Sequence, residues 1–324
     1  MLLSLHSMLA IAAPASSECA AAPAAGKYSV WRADAAQALI SRADAPSLAT
    51  AAALCFVGST PRARSDPAAS KAAAVDLAAR ASELDPQNPS IAWLRLQLCA
   101  GTPGCDIRDA ATTLRWVDAD NGAVWLPTLA AAERSGDPTE IDRILQDMAQ
   151  GSRFDFYRNP TIVLLFDTLK LARADLPSRY VPSDLSRLSE AMVLAGAEIV
   201  SPLSAVANAC REGSDAQRRD SCLKLSRIMQ RADTVAAQMA GLHIEKRLAP
   251  PDGREARAIA DRRRVLEWRV SAASQYDAPD LPWLKNALAR ERIAQMRRTP
   301  REEDIDIAIL RKRRIPLEPP DGGR

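Results

Sequence analysis

Residues 74–96 read AVDLAARASELDPQNPSIAWLRL. A run rich in Ala, Leu, Arg and Glu stops at Asp85-Pro86, and a second apolar run follows Asn88-Pro89. Good helix formers broken by proline and a short polar corner predict a hairpin of two helices, 67–84 and 89–99. The same punctuation by Pro, Gly, Asp, Ser and Asn divides the rest of the chain. It predicts helices at 33–43, 46–57, 107–117, 122–134, 138–149, 160–173, 183–199, 202–212, 216–230, 232–248, 254–275, 281–297 and 301–313. Only 13 of the 324 residues are Gly and 4% are aromatic, and no alternating apolar run is long enough for a half-buried strand. The fold class is all-α, and the length suffices for one extended helical array or for two domains.

The opening hairpin has echoes downstream. DAATTLRWVDADNGAVWLPTL follows at 109–129 and RSGDPTEIDRILQDMAQ at 134–150, with Trp93-Leu94 and Trp125-Leu126 at matching places. A helix-turn-helix period in the low thirties belongs to solenoids whose units cannot bury their apolar faces alone. These stretches resemble degenerate tetratricopeptide repeats. Ala74, Ala78 and Ala81 before Leu84-Asp85-Pro86 match the end of such a unit, and Gly136-Asp137 with Glu140, Ile141 and Leu145 matches the turn and second helix of another. The family's first-helix Gly and Tyr are absent, Ile141 stands where a small residue is usual, and the units are offset by one residue. The resemblance covers about a quarter of the chain. It implies an α-α hairpin superhelix over 16–150 whose concave face binds a peptide or protein. Residues 151–314 follow as a less regular helical half, and 315–324, IPLEPPDGGR, read as a disordered tail.

The first residues, MLLSLHSMLAIAAPASS, carry an apolar stretch and then Ala13-Pro14-Ala15, a small-x-small pattern of the kind cut by signal peptidases. Residues 1–15 are therefore expected to be a signal peptide, and the protein to be exported to the periplasm. Glu18 before Cys19 does not suit a lipobox. No other segment approaches the roughly 20 apolar residues of a membrane span.

Export gives the cysteines their meaning. Cys19, Cys55, Cys99, Cys105, Cys210 and Cys222 are even in number and lack zinc-like close pairs and any C-x-x-C motif. The only histidines are His6, in the leader, and His243, expected half-buried on an amphipathic helix. A disulfide set is the reading, with Cys99–Cys105 and Cys210–Cys222 suggested by proximity and Cys19–Cys55 left by elimination. In ACREGSDAQRRDSC, 209–222, the second bridge sets a geometric demand. Were a helix to begin near Asp215, Cys222 would stand almost two turns up it, so the turn is expected to run on toward Asp220-Ser221.

Candidate chemistry is sparse. Ser221-Cys222-Leu223-Lys224 fits S-x-x-K, without the K-T-G and strand that a penicillin-binding site requires. Glu302, Glu303, Asp304 and Asp306 read as helix-dipole complements after a Thr299-Pro300-Arg301-Glu302 capping box, with Arg311-Lys312-Arg313-Arg314 closing the helix. The formal charge is +3, and the arginine clusters at 262–264 and 297–298 read as solvated faces rather than a nucleic-acid footprint. No HExxH, GxSxG, P-loop or dinucleotide fingerprint occurs, and no cofactor or metal is implied. Trp93, Trp116, Trp125, Trp268 and Trp283 lie on amphipathic helices. Trp93 and Trp125 are the candidates for partner contact. These observations favour a non-enzymatic exported scaffold that binds an envelope protein or peptide. The alternatives are an inhibitor or immunity-type protein blocking a secreted enzyme, and an envelope hydrolase with an unrecognised site.

Overall fold

A computed structural model describes residues 19, 27–57, 66–172, 183–196, 200–211, 215–250, 253–276 and 282–320. The expected signal peptide, 1–15, lies outside them. Fifteen α-helices occur among the described residues: α1 (Lys27–Arg42), α2 (Ala45–Val57), α3 (Pro67–Leu84), α4 (Pro89–Ala100), α5 (Ile107–Val117), α6 (Leu126–Ser135), α7 (Pro138–Gln150), α8 (Arg158–Leu171), α9 (Asp184–Gly196), α10 (Val200–Ala209), α11 (Ala216–Met229), α12 (Val235–Leu248), α13 (Arg254–Tyr276), α14 (Pro282–Met296) and α15 (Glu302–Arg313). No strand occurs among them, and no helix is long and apolar enough to cross a membrane. The helix starts follow side-chain chemistry. Asp66, Asn88, Asp106 and Asp137 each accept two backbone N–H groups at a helix N-terminus, three of them with a proline in the first turn that follows.

The hairpin of the opening stretch is present, with Ala74, Ala78 and Ala81 buried along α3. Its second helix, α4, is apolar on nearly every side because it stands between two cores. Ile91, Leu94 and Leu98 face one core and Ala92, Trp93, Leu96 and Cys99 the other. The first core is built from α1–α4 with α8, α9, α14 and α15, the second from α4–α7 with α10–α12. A boundary at residue 150 therefore does not separate the cores. Helices from both halves interleave, since α8 returns to α2 and α11 to α7.

The predicted helix at 122–134 is two pieces. Gly122–Trp125 forms a 3-10 turn, and Pro127 opens α6. Trp93 thus lies within α4 and Trp125 at a turn, so the two do not occupy equivalent positions. Residues 151–157, given no structure by sequence, form an ordered connector with Phe154, Phe156 and Tyr157 buried. Asn121 holds it by accepting from Asp155 N at 2.8 Å and donating to Asp155 O at 2.8 Å.

The sequence 315–320 is likewise not free. Trp268 Nε1 donates to Pro316 O at 3.0 Å and Arg269 Nε to Leu317 O at 3.1 Å, while Ile315 and Leu317 pack against the α13–α15 contact. The proline-rich composition hides two apolar residues spaced to dock.

All three bridges are formed: Cys19–Cys55, Cys99–Cys105 and Cys210–Cys222, with Cα separations of 5.2, 5.3 and 5.6 Å. The turn between Cys210 and Cys222 does not run on to Asp220. Asp215 caps α11, which begins at Ala216. The bridge nonetheless closes, with Cys222 almost two turns into α11. From residue 216 to 222 a helix rises about 9 Å, which the residues between Cys210 and Ala216 span easily at about 3.3 Å each.

Candidate binding cleft

Three helix N-termini, those of α8, α12 and α15, meet at one place. The knot is tied by Asp233, just before α12. Its carboxylate accepts Phe156 N at 2.8 Å and Arg158 N at 3.1 Å, capping α8 from 75 residues away. Its backbone oxygen accepts Glu302 N at 2.8 Å. Glu302 returns the contact, as its Oε2 accepts Val235 N at 2.9 Å and its Oε1 pairs with Arg158 Nε at 2.5 Å. The expected capping box at Thr299–Glu302 is therefore not formed. Arg301 is the N-cap and makes no side-chain capping bond, Thr299 Oγ1 donates to Asp304, and Glu302 serves a neighbouring helix. Asp233 is 1% exposed, and burial pushes its carboxyl up from 3.8 to about 8 against the opposing pull of the two N–H donors.

Beside this knot lies a cleft of about 310 Å³. Ile162, Met192, Val235, Val270, Met296 and Ile305 form its apolar walls; Arg158, Asn159, Ser274, Arg292, Glu302 and Asp306 supply the polar lining. Asn159, in the first turn of α8, is fully buried. Its Nδ2 donates to Thr299 O at 3.2 Å, while its Oδ1 accepts no hydrogen bond. Neither the cleft nor Asn159 is marked by any sequence motif. The six helices that build it are separated by up to 148 residues, and the acids on α15 looked locally explained.

The residues singled out by sequence lie elsewhere. Trp93 is buried, its ring edge-to-face with Phe156 at 5.3 Å, so it packs the second core and is not open to a partner. Trp125 is half-buried between guanidinium groups, Arg115 at 4.3 Å and Arg143 at 5.7 Å from its ring. Trp116 is 70% exposed, the largest apolar side chain left to solvent on α5. Trp283's side chain lies outside the described residues. Ser221 is buried, and Lys224 turns outward to Asp220 at 2.8 Å, so the S-x-x-K match is not a site. His243 is exposed rather than half-buried; partial burial, then Arg247, Arg263 and Lys246, lowers its pKa. No group of His, Cys, Asp and Glu that could hold a metal occurs among the described residues.

No family model, curated protein or solved structure matches the chain.

Proposed function

We propose that this is an exported helical binding protein, tetratricopeptide-like across α3–α7 and braced by three disulfides for an oxidising compartment such as the periplasm. All six cysteines are paired, the state that export would produce and reducing compartments oppose. Cys19 is tied to α2, so cleavage after residue 15 would retain every bridge. The repeat reading is supported by the packing of each helix from α2 to α5 against the next and by the buried small residues of α3.

One observation carries binding over catalysis. In the cleft, Glu302 is spent on a helix start and an ion pair, and nearby Asp233 is sealed as a cap. The buried amide oxygen of Asn159 is left without a hydrogen bond, and such an oxygen accepts one but performs no acid–base or nucleophilic chemistry at neutral pH. The apolar walls supply the burial that a ligand needs.

Two measurements test this reading. A reporter fused after residue 30 is exported if the leader works, and cytosolic retention would refute the exported assignment. Oxidised protein incubated with envelope extract, re-purified and analysed by mass spectrometry retains a ligand that Val270→Phe, which fills the cleft, excludes. Turnover of envelope polymers by the purified protein, with no retained ligand, would replace binding with catalysis.

A further inference from the structure

We infer that the cleft beside α8, α12 and α15 takes an uncharged, largely apolar group carrying one hydrogen-bond donor, and that the Asn159 carboxamide oxygen accepts that donor. This deepens the binding reading above and rests on it. The amide's orientation is fixed, because a flip would set Oδ1 against the Thr299 carbonyl that Nδ2 now satisfies. Asn159 lines the cleft, and its remaining oxygen is buried and accepts no hydrogen bond. Buried polar atoms are nearly always paired, and leaving one bare is costly, so this atom is where a ligand gains most by donating.

Charge selects against ions. The cleft's formal charges balance, Arg158 and Arg292 against Glu302 and Asp306, and Arg158 is already paired with Glu302. A charged ligand would upset that balance on leaving water, whereas a hydroxyl or amide N–H would not. Size limits the rest. At about 30 Å³ per water-sized unit, the volume holds a group on the order of ten non-hydrogen atoms. Met192 and Met296 give two walls that adapt to its shape. An aliphatic side chain with its backbone N–H and a free aliphatic alcohol share this chemistry.

Ligand-observed NMR and calorimetry on the oxidised full chain separate these sources. The probes are N-acetyl-leucine amide and 1-hexanol, each beside a donor-blocked partner, the fully N-methylated amide and hexyl methyl ether. Wild type is expected to favour at least one donor over its blocked partner by about tenfold, the scale of one buried hydrogen bond. Preference for the amide identifies a peptide source, and preference for the alcohol a free amphiphile. Asn159→Leu should abolish the preference while leaving the blocked probe bound, and Val270→Phe should remove all binding. Because the probe comparison needs only wild type, a misfolded Asn159→Leu does not decide the matter. Equal binding of donor and blocked probes would overturn the inference and leave the binding reading standing. Binding unaffected by Val270→Phe would place the ligand elsewhere and overturn it too. Failure of every probe to bind would overturn the inference, and absence of any ligand in the extract experiment would then remove the binding reading separately.

Discussion

Replacing Asp233 by Ala strips the acceptor from two backbone donors at once. Phe156 is 1% exposed, so its N–H, now bonded at 2.8 Å, would be stranded away from water. Arg158 is only partly buried, and its N–H, bonded at 3.1 Å, would recover some hydration. A stranded buried donor costs about 1–3 kcal/mol. With a smaller second loss and a small void, the change should destabilise by about 3–4 kcal/mol. Asp233→Asn keeps one carbonyl oxygen but turns an NH2 toward the other donor, and should cost about 2 kcal/mol. The two variants also differ from wild type in pH dependence. Burial raises the folded carboxyl to about 8, above its ordinary 3.8, so between those values the native state holds a proton that the unfolded chain has released. Stability therefore falls as pH rises through about 4 to 8 and levels off above, with a slope of at most about 1.4 kcal/mol per pH unit from this one group. Asp233→Asn removes that slope. Urea unfolding of the oxidised protein, followed by far-UV circular dichroism at closely spaced pH values, measures both effects. A cost below about 1 kcal/mol for Asp233→Ala would refute the capping argument. Identical pH profiles for wild type and Asp233→Asn would refute the protonation argument.

The disulfides should rank by the loop each closes: sequence separations of 36, 12 and 6 for Cys19–Cys55, Cys210–Cys222 and Cys99–Cys105 correspond to about 4, 3 and 2 kcal/mol. Paired Cys→Ser variants in urea titrations check the order. Gly241→Ala should destabilise by about 1–3 kcal/mol despite alanine's better helix propensity, because the new Cβ would sit 2.7 Å from Ser226 O and 2.9 Å from Met229 Cβ where α12 crosses α11; a rise in Tm would refute that close approach. Glu302→Ala should cost about 2–4 kcal/mol by freeing Val235 N and Arg158 together, whereas Asp304→Ala, whose bond is the local one to Thr299, should cost under about 1 kcal/mol. Equal costs in thermal unfolding would return Glu302 to a purely local role.

What the sequence could and could not carry divides along the range of the interactions. Helix starts at Asp66, Asn88, Asp106 and Asp137 depend on residues two or three apart, and they were legible with their ends. Cysteine pairing by proximity was legible for the same reason. The geometry at Cys210 and Cys222 was not: local spacing suggests a turn running on toward Asp220, whereas α11 begins at Ala216 and the bridge still closes. Trp93 and Trp125 looked alike through a shared tryptophan-leucine pair, but Pro127 places one at a turn while the two-core position of α4 buries the other. The cleft was hidden for a stronger reason. Every acid on α15 had a sufficient local explanation in the helix dipole, so nothing in the sequence called for a partner as distant as Arg158 or Val235. A sufficient local account of a charged residue does not exclude a tertiary one. Here, Glu302 stands where a capping residue is expected, yet it bonds outside its own helix. That is why the unpaired oxygen of Asn159, with no charge and no motif to announce it, directs the ligand experiment better than any residue that composition had marked.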